Sequence, residues 1–146
     1  PEDLSGYEVV LAGYWLRRGG PDPKMTRFLP RVAGRQVVFF QTHGTMPGTE
    51  HAVTAFARAA LLLGEGCSIL GTFSCQGKIN PVLIEKRKKA GPEDPHANSA
   101  ENAARWAAAA NHPDTRDLQA AADFVQGLYR KLLLRARFAE KQSRPR

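Results

Sequence analysis

Residues 9–20 read VVLAGYWLRRGG, an apolar run that ends in two aromatic side chains, two arginines and two glycines. Similar runs are QVVFFQT at 36–42 and CSILGTFSC at 67–75, and the first run extends back to Glu8. Their apolar residues are nearly continuous rather than alternating, which is typical of parallel strands covered on both faces. We therefore predict three buried parallel strands, over 8–15, 36–42 and 67–75.

Helical patterns separate these strands. Asp22 is suited to the N-cap and Pro23 to the first position of a helix that ends near Gly34. A second helix is predicted from Thr49 to Leu63, followed by the stop signal GEG. Alternating strands and helices at this spacing predict right-handed crossovers and a three-layer α/β fold with an open parallel sheet.

The chain changes character after residue 78. A short helix in NPVLIEKRKKA is followed by the turn-rich connector GPEDPHANS, and Ser99 is suited to cap a helix that ends near Asn111. The predicted organisation is a sheet core over 1–78, a helical insertion and connector over 79–113, a final helix over 114–140 and a disordered basic tail over 141–146. The apolar stripe of the final helix, expected to lie on the sheet, comprises Leu118, Ala122, Val125, Tyr129, Leu132 and Ala136.

Composition narrows the class of protein. The 146 residues carry a net charge of +7 and are 42% hydrophobic, as in an ordinary globular domain. No apolar run approaches the roughly 18–20 residues that cross a bilayer. The basic residues come without an RNA- or DNA-binding signature, and the four histidines lack metal-ligand spacing. We therefore expect neither a membrane nor a nucleic acid as partner, and no metal site.

The two cysteines, Cys67 and Cys75, bracket the third predicted strand. Extended chain would hold them roughly 26 Å apart, well beyond the roughly 7 Å between Cα atoms that a disulfide allows. Two free thiols are typical of a protein in a reducing cytoplasm.

Ligands of open α/β sheets bind beyond the carboxyl ends of the strands. The segments that leave those ends are GYWLRRGGPDPK, QTHGTMPGTEH and TFSCQGKINP, which combine glycines, small polar residues and aromatic or sulfur-bearing side chains. We expect the exits at Trp15, Thr42 and Cys75 to gather on one rim, around a crevice suited to a planar heteroaromatic ligand.

Three segments, LAGYWLRRGGPDPKMTRFL, QVVFFQTHGTMPGTEHA and GTFSCQGKINP, resemble the single-domain flavodoxin-like proteins. The resemblance covers residues 3–84 and the final helix. It implies a non-covalently bound FMN and electron transfer with a redox partner protein, a reductase or oxidoreductase. The cofactor-binding residues that it implies are Tyr14, Trp15, Leu16, Gly19, Gly20, Thr42, His43, Gly44, Thr45, Met46, Cys75, Gln76 and Gly77. Either Tyr14 or Trp15 would stack on the flavin ring.

The chain departs from this family at its beginning. Flavodoxins start with a strand and a Ser/Thr-rich loop that binds the FMN phosphate, and no such loop occurs here. Aligned by strand order, the chain starts at the family's third strand, so we expect it to be the C-terminal part of a longer protein. The longer protein would bind FMN, whereas this chain alone would bind it weakly. The alternatives are that another chain supplies the phosphate loop or that FMN is no longer bound. The edge of the first strand would then be open and could pair with a second copy in a homo-oligomer.

Two alternatives stay open. The chain could be a cofactor-free binding module that keeps the fold. It could also be a cysteine-dependent α/β enzyme with Cys75 as nucleophile and His43 or His51 as base, although no Gly-x-Cys-x-Gly elbow surrounds Cys75.

Overall fold

The computed structural model describes residues 3–143 of the chain. Its four strands are β1 (Val9–Arg17), β2 (Gly20–Pro21), β3 (Gln36–His43) and β4 (Ser68–Gln76). Its helices are α1 (Pro23–Phe28), extended by a 3-10 turn at Leu29–Arg31, then α2 (Glu50–Ala60), α3 (Pro81–Lys88), α4 (Ala100–Ala109) and α5 (Thr115–Ser143). No described helix has both the length and the apolar composition that a bilayer span requires.

The strands form one sheet in the order β2-β1-β3-β4. β1, β3 and β4 are parallel, as the continuous apolar runs predict, while β2 pairs antiparallel with the end of β1. The α/β prediction with an open sheet is therefore confirmed, and the sheet is mixed because of the short β2. No strand pairs with the outer side of Val9–Trp15 among the described residues.

Helix caps form where the sequence places them. The buried carboxylate of Asp22 accepts hydrogen bonds from the backbone N–H groups of Lys24 and Met25, at 2.8 and 3.4 Å. The hydroxyl of Ser99 accepts one from Asn102 N at the start of α4. Asp114 and Asp117 cap α5 reciprocally, since each carboxylate accepts the backbone N–H of the other.

One face of the sheet carries the main core. Val10, Ala12 and Tyr14 of β1 lie there with Val37 and Phe39 of β3, against Leu29 and α2. Phe39 contacts the rings of Tyr14 and Phe56, with centroids 6.1 and 6.5 Å apart. Because side chains alternate along a strand, the neighbouring residues of β1 lie on the opposite face.

Helix α5 covers only part of that opposite face. Phe124 packs on Phe40 and Phe73, with ring centroids 5.7 Å apart in each case. The prediction of which face of α5 contacts the sheet was wrong. Leu118 and Tyr129 of the predicted stripe are 64% and 61% exposed, and Phe124, on another face of the helix, makes the contact. Over β1 this face is open, and Leu11 and Trp15 are more than half exposed instead of buried.

The chain remains helical through Ser143. The sequence predicts a disordered tail from Lys141, so the structure differs over 141–143, and residues 144–146 lie outside the described part of the chain.

Candidate functional site

Three side chains from neighbouring strands stand in one row at the carboxyl edge of the sheet. The register pairs Trp15 with Thr42 and Thr42 with Cys75. Adjacent strands lie about 4.8 Å apart, so the row extends about 10 Å across three strands. Trp15 is 54% exposed, Thr42 is half-buried and Cys75 is buried. The expected convergence of these three exits on one rim is confirmed.

The other face of the same edge is polar and buried. Tyr14 of β1 pairs with Gln41 of β3. Two residues further along β3, His43 pairs with Gln76 of β4. All four are at most 5% exposed. Tyr14 Oη, Gln41 Oε1, His43 Nε2 and Gln76 Nε2 are buried without a hydrogen-bond partner in the described residues. A buried polar atom of this kind costs free energy unless water or a ligand satisfies it.

The ring of His43 is held in one tautomer. Its Nδ1 lies 3.0 Å from the carbonyl oxygen of Thr45 and therefore carries the proton, which leaves Nε2 as an acceptor. Burial lowers the pKa of His43, so the neutral ring is favoured. Gln76 supplies an amide donor at the neighbouring position, so the edge offers one unsatisfied donor beside one unsatisfied acceptor.

The loops after β3 and β4 pack against each other through glycines. A Cβ at Gly44 would overlap the Ile79 side chain, and one at Gly77 would lie 3.2 Å from Thr42 Cβ. Gly77 N donates to His43 O at 2.9 Å, which joins the two loops. Thr45 is half-buried near this junction, whereas Met46 is exposed.

The loop after β1 is a two-residue hairpin turn. Arg18 and Gly19 have φ of 52° and 78°, the conformation of a type I′ turn, between the paired residues Arg17 and Gly20. The predicted site residues Leu16 and Gly20 belong to the hairpin itself, because Leu16 pairs with Pro21 and Gly20 lies in β2. Arg58 of α2 holds the turn by donating to Gly19 O at 3.1 Å.

The geometry separates the predicted site residues into two groups. Trp15, Thr42 and Cys75 share the open face, while Tyr14, His43 and Gln76 lie beneath the sheet on the α2 side. Tyr14 is buried against Phe39, so of the two candidate stacking residues only Trp15 presents a ring surface.

Cys75 is poorly suited to nucleophilic catalysis. Burial raises the pKa of its thiol, and the negative charge of Asp117 raises it further. His43 lies on the opposite face, because it pairs with Gln76, the residue after Cys75.

Cys67 and Cys75 are both free thiols, as the spacing predicts. His112, Asp114 and Asp117 lie within 4.8 Å of one another, but their contacts are those of the α5 cap.

A family model described as a flavodoxin domain matches residues 2–126. The chain belongs to the flavodoxin domain family. The match covers the whole sheet, the connector and the first 12 of the 29 residues of α5, which include Phe124.

Two curated relatives carry the name flavodoxin-like domain-containing protein BilS. The one from Clostridioides difficile (strain CD3) is 26% identical over 129 residues, which is 86% of this chain and 72% of the relative. The one from Clostridium symbiosum (strain WAL-14163) is 25% identical over 126 residues, 81% of this chain and 65% of the relative. The chain thus spans about two thirds of the length of the second relative.

The residues present fit the ring end of a flavin. Trp15 offers a flat exposed surface at the strand ends, as a stacked ring requires. The unsatisfied atoms of His43 and Gln76 are buried on the opposite face and do not border that surface. Sequence reasoning missed Gln41, whose amide donates to Ala52 O of α2 at 2.9 Å. A polar residue directly after the apolar VVFF was the signal that could have indicated it.

Proposed function

We propose that this domain binds FMN at the carboxyl edge of its sheet and serves in electron transfer with a reductase or oxidoreductase partner. The observation that carries the proposal is the row Trp15, Thr42 and Cys75, in direct register on three adjacent strands with the indole half exposed. Membership of the flavodoxin domain family supports a flavin ligand at the family level. The free thiols of Cys67 and Cys75 fit the reducing cytoplasm that we propose as its location.

A bound flavin would supply the redox chemistry, and the protein residues would hold and orient the ring. Trp15 would stack on one ring face, with the Thr42 hydroxyl beside it. The backbone of the loop at 42–46 and the segment Cys75–Gly77 would border the ring edge. Gly19 and Gly20 fix the hairpin that positions the Trp15 end of β1.

The test is a titration of the protein with FMN, followed by flavin fluorescence and absorbance. We expect quenching that saturates only at high FMN concentrations, because this chain alone should bind flavin weakly. Trp15→Ala should weaken binding further, by about 1 kcal/mol or more, because stacking on the indole is lost. Leu11→Ala is the matched control, since Leu11 lies on the same face of β1 and is similarly exposed. Equal affinity of the Trp15→Ala and wild-type proteins would place the ring elsewhere, and no binding at all would favour a cofactor-free module.

A further inference from the structure

Four buried side chains on the α2 side of the sheet edge form two pairs of polar neighbours. The register pairs Tyr14 with Gln41 and, two residues further along β3, His43 with Gln76. Residues that pair across parallel strands share a face, and so do residues two apart on one strand, so all four lie on the same side. Each carries one buried polar atom that no residue of the described chain satisfies.

The first pair sets a hydrogen-bond donor beside an acceptor. Gln41 Nε2 donates to Ala52 O at 2.9 Å, which identifies the unsatisfied Gln41 atom as the amide oxygen, an acceptor. Burial raises the pKa of the Tyr14 phenol, so its O–H group stays protonated and can donate. The Cα atoms of neighbouring strands lie about 4.8 Å apart, yet no hydrogen bond joins Tyr14 Oη to Gln41 Oε1.

The second pair repeats this arrangement between β3 and β4. The contact of His43 Nδ1 with Thr45 O leaves Nε2 as an acceptor. Its register partner Gln76 carries an amide nitrogen, which is a donor. Neither atom has a partner within residues 3–143, although the two residues are direct neighbours. The same pairing of an unsatisfied donor with an unsatisfied acceptor therefore occurs twice along the edge.

The chemistry of these atoms selects the ligand. A metal cation would face the two donors, and an anion would face the two acceptors, so the fitting group is neutral and both donates and accepts a hydrogen bond. All four residues are at most 5% exposed, which favours a molecule as small as water. Folded proteins hold about one buried water per 27 residues, so two in this chain is an ordinary number.

We propose that two ordered water molecules bind here, one bridging Tyr14 Oη to Gln41 Oε1 and the other bridging Gln76 Nε2 to His43 Nε2. The second water would join the end of β3 to the end of β4, in addition to the 2.9 Å bond from Gly77 N to His43 O. It would thereby hold together the two loops that border the proposed ring site. The water sites depend on buried atoms of this chain and not on a flavin.

The first test is a crystal structure of the chain at a resolution that shows ordered water. We expect a water oxygen about 2.7–3.2 Å from both members of each pair. Direct hydrogen bonds within the pairs, a solute larger than water, or water at fewer than both pairs would overturn the proposal. The result is independent of the flavin titration, which can fail while both waters are present.

The second test measures Tyr14→Phe in solution by urea unfolding. Removing a hydroxyl that donates to a buried water should lower the equilibrium constant for folding about three- to tenfold. The matched control is Tyr129→Phe, which removes the same atom from a side chain that is 61% exposed and should leave the constant unchanged. If the Tyr14 hydroxyl lacks a partner, its removal relieves the cost of burying it. An equal or higher constant for Tyr14→Phe would therefore overturn the proposal.

Discussion

Phe124→Ala tests the orientation of α5, the element whose sequence-based prediction the structure changed most. The half-buried Phe124 ring contacts Phe40 and Phe73, and these two rings are themselves 5.8 Å apart. Replacing a completely buried Phe with Ala lowers the free energy of unfolding by about 3–5 kcal/mol. Scaling that loss for half burial and adding the two lost ring contacts gives about 2–3 kcal/mol. A change of this size is a large fraction of the stability of a small domain.

The assay is urea unfolding followed by far-ultraviolet circular dichroism, with Leu118→Ala as the matched control. Leu118 belongs to the stripe that the sequence favours, yet it is 64% exposed, so its loss should cost about 0.5 kcal/mol or less. The free energy of unfolding should therefore separate the two variants by about 2 kcal/mol. Equal costs, or a larger cost for Leu118→Ala, would mean that α5 is rotated and would refute the packing described here.

Three further predictions follow from buried polar groups and from the strained turn. Asp22→Ala should lower the free energy of unfolding by about 1 kcal/mol because two N–H groups of α1 lose their acceptor; an unchanged urea midpoint would contradict the cap. Arg18→Asn should raise the melting temperature, because it relieves about 1 kcal/mol of left-handed strain without adding chain entropy; a lower melting temperature would show that the arginine stabilises the turn. The pKa of His43 is lowered in the folded state, so the unfolded chain binds more protons below its ordinary value of 6.5, and stability should fall as the pH drops from about 7 to 5. His43→Gln should reduce that loss, as measured by urea midpoints at both pH values, whereas an unaltered pH dependence would assign it to other groups.

Several features could be predicted because local residues determine them. The apolar runs gave β1, β3 and β4 to within about two residues, since a buried parallel strand requires such a run. The caps at Asp22 and Ser99 could also be predicted from the sequence, because each side-chain oxygen accepts a hydrogen bond from a helix N–H group only two or three residues away. The rim of Trp15, Thr42 and Cys75 was also predicted, since parallel strands carry their carboxyl ends to one edge.

Other features depended on contacts distant in sequence. Along α5 apolar residues occur on several faces, including the exposed Leu118 and Leu133, so periodicity alone could not identify Phe124 as the contact. The β1–β2 hairpin places an arginine where turn preferences favour Gly or Asn, and Arg58, 39 positions from the Gly19 carbonyl, holds it. The sequence by itself determined the strands, the caps and the common edge, because each is encoded within one segment. The tertiary structure alone decided which side of each element is covered and which side chain holds the β1–β2 turn, because those outcomes depend on packing between segments that are far apart in the chain.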